Sequence, residues 1–263
     1  MASQSNYIAK EANPDGSIHY TDEEHARWHV LMKRQHKALE SHAAPIYLKA
    51  LDRLQITEDH IPQCSEVSER LLDATGWQVV PVPALIDFPT FFNLLARKRF
   101  PAASFIRSLK DMDYLPEPDI FHEILGHTPL LTDPDYASFV EAYGKAGCRA
   151  NHEERVWLAR LFWFTVEFGL LNTDDGIKAF GAGIVSSRTE LPYSIEDQAV
   201  ERQPFDEIEI LRTPYRIDQL QPVYFVLDNF EQLLRLGQKD LIPLVNRARS
   251  EGLKPSAFER KAS

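Results

Sequence analysis

Apolar residues recur at helical spacing over most of this chain and alternate at strand spacing over only a few short stretches. Thr21 followed by Glu24 makes a capping-box signature, and the pattern behind it predicts a helix to residue 39. A second helix is expected over about 44–54. A third runs to residue 74, with Ser65 as its cap. Residues 78–82 read as a strand closed by Pro81 and Pro83. Residues 88–98 read as a helix with Pro89 in its first turn. A short strand is predicted at 102–107, and helices at 118–125, 134–145 and 153–171. The glycines at 176, 181 and 183 make 176–185 a hairpin or loop. Residues 207–225 alternate enough for short strands, and a last amphipathic helix is expected over about 230–250. Helices in runs, without regular interleaving of strands, predict a mainly α fold with short β-strands (α+β) and argue against a doubly wound sheet.

At 263 residues with 44% hydrophobic positions, the chain suits one large domain with a substantial core. Residues 1–263 are expected to form a single catalytic domain, with an N-terminal arm to about residue 20 and a flexible tail over 252–263. A net charge of −10 argues against a nucleic-acid partner, which would need clustered Lys and Arg. No apolar run marks a secretory signal at the N-terminus. Cys64 and Cys148 form no CxxC pair, which fits a reduced, cytoplasmic protein without a disulfide framework.

The chemistry concentrates in Glu117-Pro118-Asp119-Ile120-Phe121-His122-Glu123-Ile124-Leu125-Gly126-His127. Neutral imidazole is the commonest transition-metal ligand, so two close together raise a metal site. Zinc peptidases space the pair four apart; here the spacing is five. On a straight helix the two rings would diverge by about 140° at roughly 100° per residue. Gly126 and Pro129 therefore predict that the helix ends between them, with His122 in its last turn and His127 just beyond. The third ligand is expected from the 157–171 stretch, apolar nearly all round but for Arg160 and Glu167. An ionised carboxylate there must be paired, protonated or metal-bound. Arg160 lies about two turns away and Arg155 remains open as a partner. Two imidazoles and one carboxylate suit a non-haem Fe(II) oxygenase, with a His-His-Glu zinc hydrolase as the rival and a structural metal in a binding domain as a further alternative. Trp163, one turn before Glu167, and Phe168 favour an aromatic substrate. By contrast, His25, His29 and His36 sit among solvated charges and are read as surface residues.

Beyond these residues the chain resembles the catalytic domain of the pterin-dependent aromatic amino acid hydroxylases, and among them the single-domain bacterial enzymes that act on phenylalanine. The likeness is carried by Phe105-Ile106-Arg107, Tyr114 with Pro116-Glu117-Pro118-Asp119, and His122 to His127. It continues with Trp163 to Gly169, Gly181-Ala182-Gly183, Ser186-Ser187 and Gln221-Pro222-Val223-Tyr224. The resemblance implies iron held by His122, His127 and Glu167, which are also the catalytic centre. Arg107 is implied as the grip on the substrate carboxylate. Trp163, Phe168 and Pro118 become the amino acid pocket, with Gly183 where backbone nears substrate and Ser186 beside a ligand histidine. Phe91, Glu123, Tyr215, Ile86 and Ala159 are implied at the pterin. Animal members carry Thr, Gly and Tyr where this chain has Leu115, Ala84 and Phe162.

The reaction implied is hydroxylation of L-phenylalanine to L-tyrosine by Fe(II), dioxygen and a tetrahydropterin, the first step of phenylalanine breakdown. Trp163 stands where tryptophan hydroxylases carry the smaller Phe, and Ile217 where tyrosine hydroxylases carry Asp. Those two activities are the alternatives within the family. The only partners implied are the small-molecule substrate and the pterin, with no nucleic acid and no membrane. A monomer is expected, because the chain has room for neither the regulatory domain nor the tetramerising helix of animal relatives.

Overall fold

A computed structural model describes residues 7–82, 86–113, 115 and 117–258; Pro83, Ala84, Tyr114 and Pro116 lie outside the described residues. Helix α1 (Asp22–His42) starts at the expected capping box, with Thr21 and Glu24 each closing onto the other's backbone. Helices α2 (Pro45–Leu54) and α3 (Cys64–Thr75) follow. The cap of α3 is Gln63, not Ser65: its side chain and that of Glu66 make the reciprocal pair. Gln63 also exchanges hydrogen bonds with the backbone of Ile18, a tertiary contact that goes with a cap two residues earlier than Ser65.

Strand β1 (Gln78–Val82) pairs in parallel with β2 (Arg99–Ala103), across α4 (Phe88–Leu95). Strand β2 overlaps the expected stretch, 102–107, only at Ala102 and Ala103. Helix α5 (Pro134–Arg149) is capped by Asp133, and α6 (His152–Phe162) by Asn151. The long buried helix expected to reach residue 171 stops well short of it. After a widened turn at Trp163–Glu167 the chain becomes β3 (Gly169–Thr173). The physical reason is Gly169: a Cβ there would lie 2.2 Å from the Phe180 ring and 2.3 Å from the Thr165 carbonyl, so the chain folds back tightly where a helix would have continued.

Strand β3 makes a hairpin with β4 (Gly176–Ala179), so the stretch 176–185 expected as one hairpin or loop instead supplies a strand and then the short helix α7 (Ala182–Val185), with α8 (Glu190–Glu196) after it. The second sheet has strand order β4-β3-β6-β5, with β5 (Glu201–Pro204) and β6 (Val223–Leu227) parallel. Between them Glu207–Arg212 is a helix, α9, where strands were expected; Asp206 caps it by accepting from the Ile208 and Glu209 amides. The single last helix divides into α10 (Glu231–Gly237) and α11 (Leu241–Glu251), because Asp240 starts a new N-terminus. One apolar core, including Trp28, Tyr47, Phe121, Phe139, Phe164 and Phe225, runs beneath all these elements. Among the described residues no helix is long and apolar enough to cross a membrane.

Candidate active site

His122 and His127 do meet, but not because a helix ends between them. His122–His127 is a π-helical turn, in which backbone bonds reach five residues rather than four and residues five apart return to one face. Such a turn leaves carbonyls displaced from the ordinary ladder, and hydroxyls take them. Thr128 Oγ1 donates to the Ile124 carbonyl at 2.6 Å, and the buried Tyr47 hydroxyl to that of Leu125 at 2.6 Å. Gly126 has a packing role: a Cβ there would stand 2.9 Å from the Ala182 carbonyl, so its absence lets α7 close on the turn.

Glu167 ends a second π-helical turn, Trp163–Glu167, sealed by a bond from the Phe168 amide to the Trp163 carbonyl five residues back. Thr165 Oγ1 donates to the Leu161 carbonyl at 2.6 Å. Two such turns, facing one another, bring three donors together. The Nε2 atoms of His122 and His127 are 3.1 Å apart, and the Glu167 carboxylate lies 3.1 Å from His127 Nε2 and 3.7 Å from that of His122. Arg155, the alternative partner for Glu167, instead bonds the Gly147 carbonyl.

The protonation states suit a cation. Ser186 Oγ–H donates to the Ala182 carbonyl at 2.6 Å, so the same oxygen accepts from His122 Nδ1–H at 2.9 Å. His122 therefore carries its proton on Nδ1 and turns the Nε2 lone pair toward His127 and Glu167. Burial is the main reason its pKa is pushed down to about 4, against the pull of Glu167, which keeps the ring neutral. Burial would raise Glu167, but His127 and His122 outweigh it and hold the carboxyl below its ordinary value. Glu123 is also near: His122, Glu123 and His127 each offer a ligand atom within 4.8 Å of the others. Its carboxyl is raised well above the ordinary value by burial, then by Glu167 and Asp119. The imidazoles thus favour charge on Glu167, while burial and two neighbouring carboxylates oppose it on Glu123. The remaining nitrogen of His127, Nδ1, is buried without a hydrogen-bond partner among the described residues, so the ring engages the centre only through Nε2. A His122 Nε2 lone pair and the His127 Nε2 gathered beside an anion are a donor set that fits a divalent metal.

Two cavities meet at this centre. The first, about 200 Å³, holds Arg107, Pro118, Trp163, Phe168, Gly183 and Ser186, together with Leu115, Glu190, Ile217 and Gln221. The second, about 340 Å³, holds Ile86, Phe91, Glu123, Ala159 and Tyr215, with Phe100 and Phe162. Pro118, His122, Trp163 and Glu167 line both. Every residue expected at the amino acid lies in the first, and every one expected at the pterin in the second.

In the first cavity Arg107 is buried and paired bidentately with Asp119, Nε and Nη2 donating at 2.8 Å each. Asp119 also accepts from the amides of Arg107 and His122, which ties the guanidinium to the start of the first π turn. The Trp163 ring is sandwiched between Phe168 (4.5 Å between centroids) and Tyr215 (4.3 Å), and its indole N–H donates to Gln221 at 3.2 Å. A Cβ on Gly183 would lie 2.8 Å from the Phe168 ring, so a side chain there would have to displace that wall of the cavity. In the second cavity Phe91 packs edge-on against Phe162, 5.3 Å between centroids.

Asp119, Glu190 and Gln221 were missed as site residues by sequence reasoning. Asp119 stood in the motif, two residues after a Glu and beside a Pro, and a buried Arg that needs a carboxylate was the available signal. Nothing in the sequence marked Glu190, which stands between Thr189 and Leu191 outside any motif.

The family of biopterin-dependent aromatic amino acid hydroxylases matches residues 2–239 of this chain. A phenylalanine-4-hydroxylase of Pseudomonas aeruginosa is 49% identical over 255 residues, 97% of each chain. The apo structure of the cold-active phenylalanine hydroxylase from Colwellia psychrerythraea 34H superposes with a TM-score of 0.94 at 46% identity, over 96% of this chain and 98% of that one. The Chromobacterium violaceum phenylalanine hydroxylase with bound oxidised Fe(III) matches with a TM-score of 0.89 at 40% identity, over 96% and 92% of the two chains.

Proposed function

The chain belongs to the biopterin-dependent aromatic amino acid hydroxylases, and from that premise we propose that it converts L-phenylalanine to L-tyrosine with Fe(II), a tetrahydropterin and dioxygen. Family membership sets aside the zinc hydrolase and the structural-metal domain. The observation that carries the reading is the pair of cavities sharing His122 and Glu167: one room for an amino acid, one for a flat heterocycle, one centre between them.

His122, His127 and Glu167 would hold the iron, which together with the reduced pterin supplies activation of dioxygen and the oxidant for the ring. The chain's own work is orientation. Arg107 keeps Nε and Nη2 on Asp119, which leaves Nη1 as the edge for a substrate carboxylate. Trp163, Phe168 and Pro118 fix the plane of the substrate ring, and a restricted pose lowers the entropic part of the barrier. His127, 3% exposed and flanked by Phe100 and Phe162, keeps the centre dry on the pterin side. Phe91 offers its ring to the pterin from within the second cavity, with Ile86, Ala159 and Tyr215 as further walls.

Phenylalanine is favoured over tyrosine and tryptophan because Ile217 puts an apolar side chain at the first cavity and Trp163 fills its wall. We further propose that the enzyme opens phenylalanine breakdown as a monomer in the cytoplasm; for the reducing compartment, the support is two free cysteines, Cys64 and Cys148. The test is tyrosine formation from phenylalanine by iron-loaded protein with oxygen and a tetrahydropterin. Absence of product from fully loaded protein overturns the proposal.

A further inference from the structure

The N-terminal arm is fastened to the segment that carries Arg107, at both of that segment's ends. At the near end the Lys10 amide donates to Ser104 Oγ at 2.8 Å, and that hydroxyl donates back to the Lys10 carbonyl at 3.0 Å. Beside it the Tyr7 ring stacks on buried Phe105, centroids 4.6 Å apart and planes within 15°, and carries its hydroxyl to the far end at Ser108. Its phenol oxygen accepts from the Ser108 amide at 3.0 Å and donates to the Asp111 carboxylate, which Ser108 Oγ also reaches at 2.7 Å. Lys10 Nζ anchors the arm itself, to Glu24 at 2.5 Å and to the His19 carbonyl at 2.9 Å.

Arg107 sits between these fastenings. On one side Asp119 holds its guanidinium and its amide, and the Ile120 amide bonds the Phe105 carbonyl at 2.8 Å. On the other side the phenol of Tyr7 braces the next residue, Ser108. A fork held by two of its nitrogens still pivots with its backbone, so the direction of the third nitrogen depends on where 106–108 runs.

We propose that Tyr7 is a positioning residue for amino acid binding: its hydroxyl bridges Ser108 and Asp111 and so sets the angle at which Arg107 meets the substrate carboxylate. This rests on the reading of Arg107 as the carboxylate anchor. Tyr7→Phe keeps the stack on Phe105 and removes the bridge; Tyr7→Ala removes both. Only part of the worth of a half-buried phenol–carboxylate bond reaches the substrate through Ser108, a roughly 3- to 10-fold effect. Tyr7→Phe is therefore expected to raise the KM for phenylalanine by about that factor, with kcat, the pterin KM and Fe(II) affinity within about twofold of the parent.

Coupling separates positioning from mere stability. In an Arg107→Lys background, where the planar fork is gone, Tyr7→Phe is expected to add no further loss. A full multiplicative loss there overturns the inference, as does an unchanged phenylalanine KM in Tyr7→Phe. Equal falls in turnover and pterin affinity, or a lowered melting temperature with KM intact, assign Tyr7 to the fold and also overturn it. If Arg107→Lys itself leaves phenylalanine affinity unchanged, the carboxylate-anchor reading fails and this inference fails with it. A raised KM in Arg107→Lys beside a normal one in Tyr7→Phe removes the inference alone.

Discussion

A histidine binds metal through one nitrogen only if something holds the proton on the other, and here that is Ser186. Its hydroxyl spends its single proton on Ala182 and must accept from His122. Ser186→Ala removes the acceptor and lets the tautomer slip. Fe(II) affinity is expected to fall about 10- to 100-fold, measured by competition with a chelator, while the melting temperature of the metal-free protein stays near the parent's. Arg107 and Asp119 make a second residue-level case. Burial alone would raise Asp119, but the Arg107 guanidinium outweighs it and the carboxyl lies below its ordinary value. A depressed carboxyl contributes stability that is complete above its unfolded pKa, roughly 3.9, and is lost as pH falls through the folded one. Asp119→Asn leaves a buried cation without its charge partner, at a cost of about 3–5 kcal/mol near neutrality. Urea unfolding from pH 7 to pH 3 should show the parent approaching the variant below about pH 4; a gap that stays constant excludes the linkage.

At the scale of elements, the two π turns are what the sequence did not disclose. His122, His127 and Glu167 stood out because imidazoles in a cluster and a carboxylate in an apolar run are visible in one dimension. Their convergence is set by contacts remote in the chain: Ala182 against Gly126, and the Tyr47 hydroxyl on the Leu125 carbonyl. Residues 207–212 likewise fold as a helix through an Asp206 cap, although their alternation predicts short strands. Local signals sufficed where chemistry and geometry coincide within one turn, as at Thr21 and Glu24. Tyr47→Phe tests the widened turn directly. It leaves a buried carbonyl without its donor, so unfolding free energy should fall by about 1–3 kcal/mol. Because that carbonyl belongs to the turn carrying both histidines, Fe(II) affinity should fall as well; a stability loss with metal affinity intact would mean the turn holds its shape without this bond.

Across the whole molecule, the separation into two rooms matters more than either room alone. The amino acid room is built from Arg107, Asp113, Leu115, Glu117 and Pro118 with 163–168, 183–190 and 217–221, the other chiefly from Val82, Ile86, 88–101, 122–127 and 143–163, and the second π turn is the wall between them. A shared wall makes the ligands independent at their far ends and dependent at the centre. Phe91 belongs to the second room only, where it packs on Phe162 and Phe92. Its truncation to Ala removes an aromatic face worth about 0.5–1.5 kcal/mol beyond its buried area, so the pterin KM should rise on the order of 10-fold while the phenylalanine KM moves less than about twofold. Trp163 faces both rooms and is stacked on Phe168 in one and Tyr215 in the other. Trp163→Phe should therefore raise both constants together. Steady-state titration of each ligand against a saturating concentration of the other distinguishes the two patterns. If Phe91→Ala raised both constants equally, the cavities would be a single binding space and the division of labour between Arg107 and Phe91 would not hold.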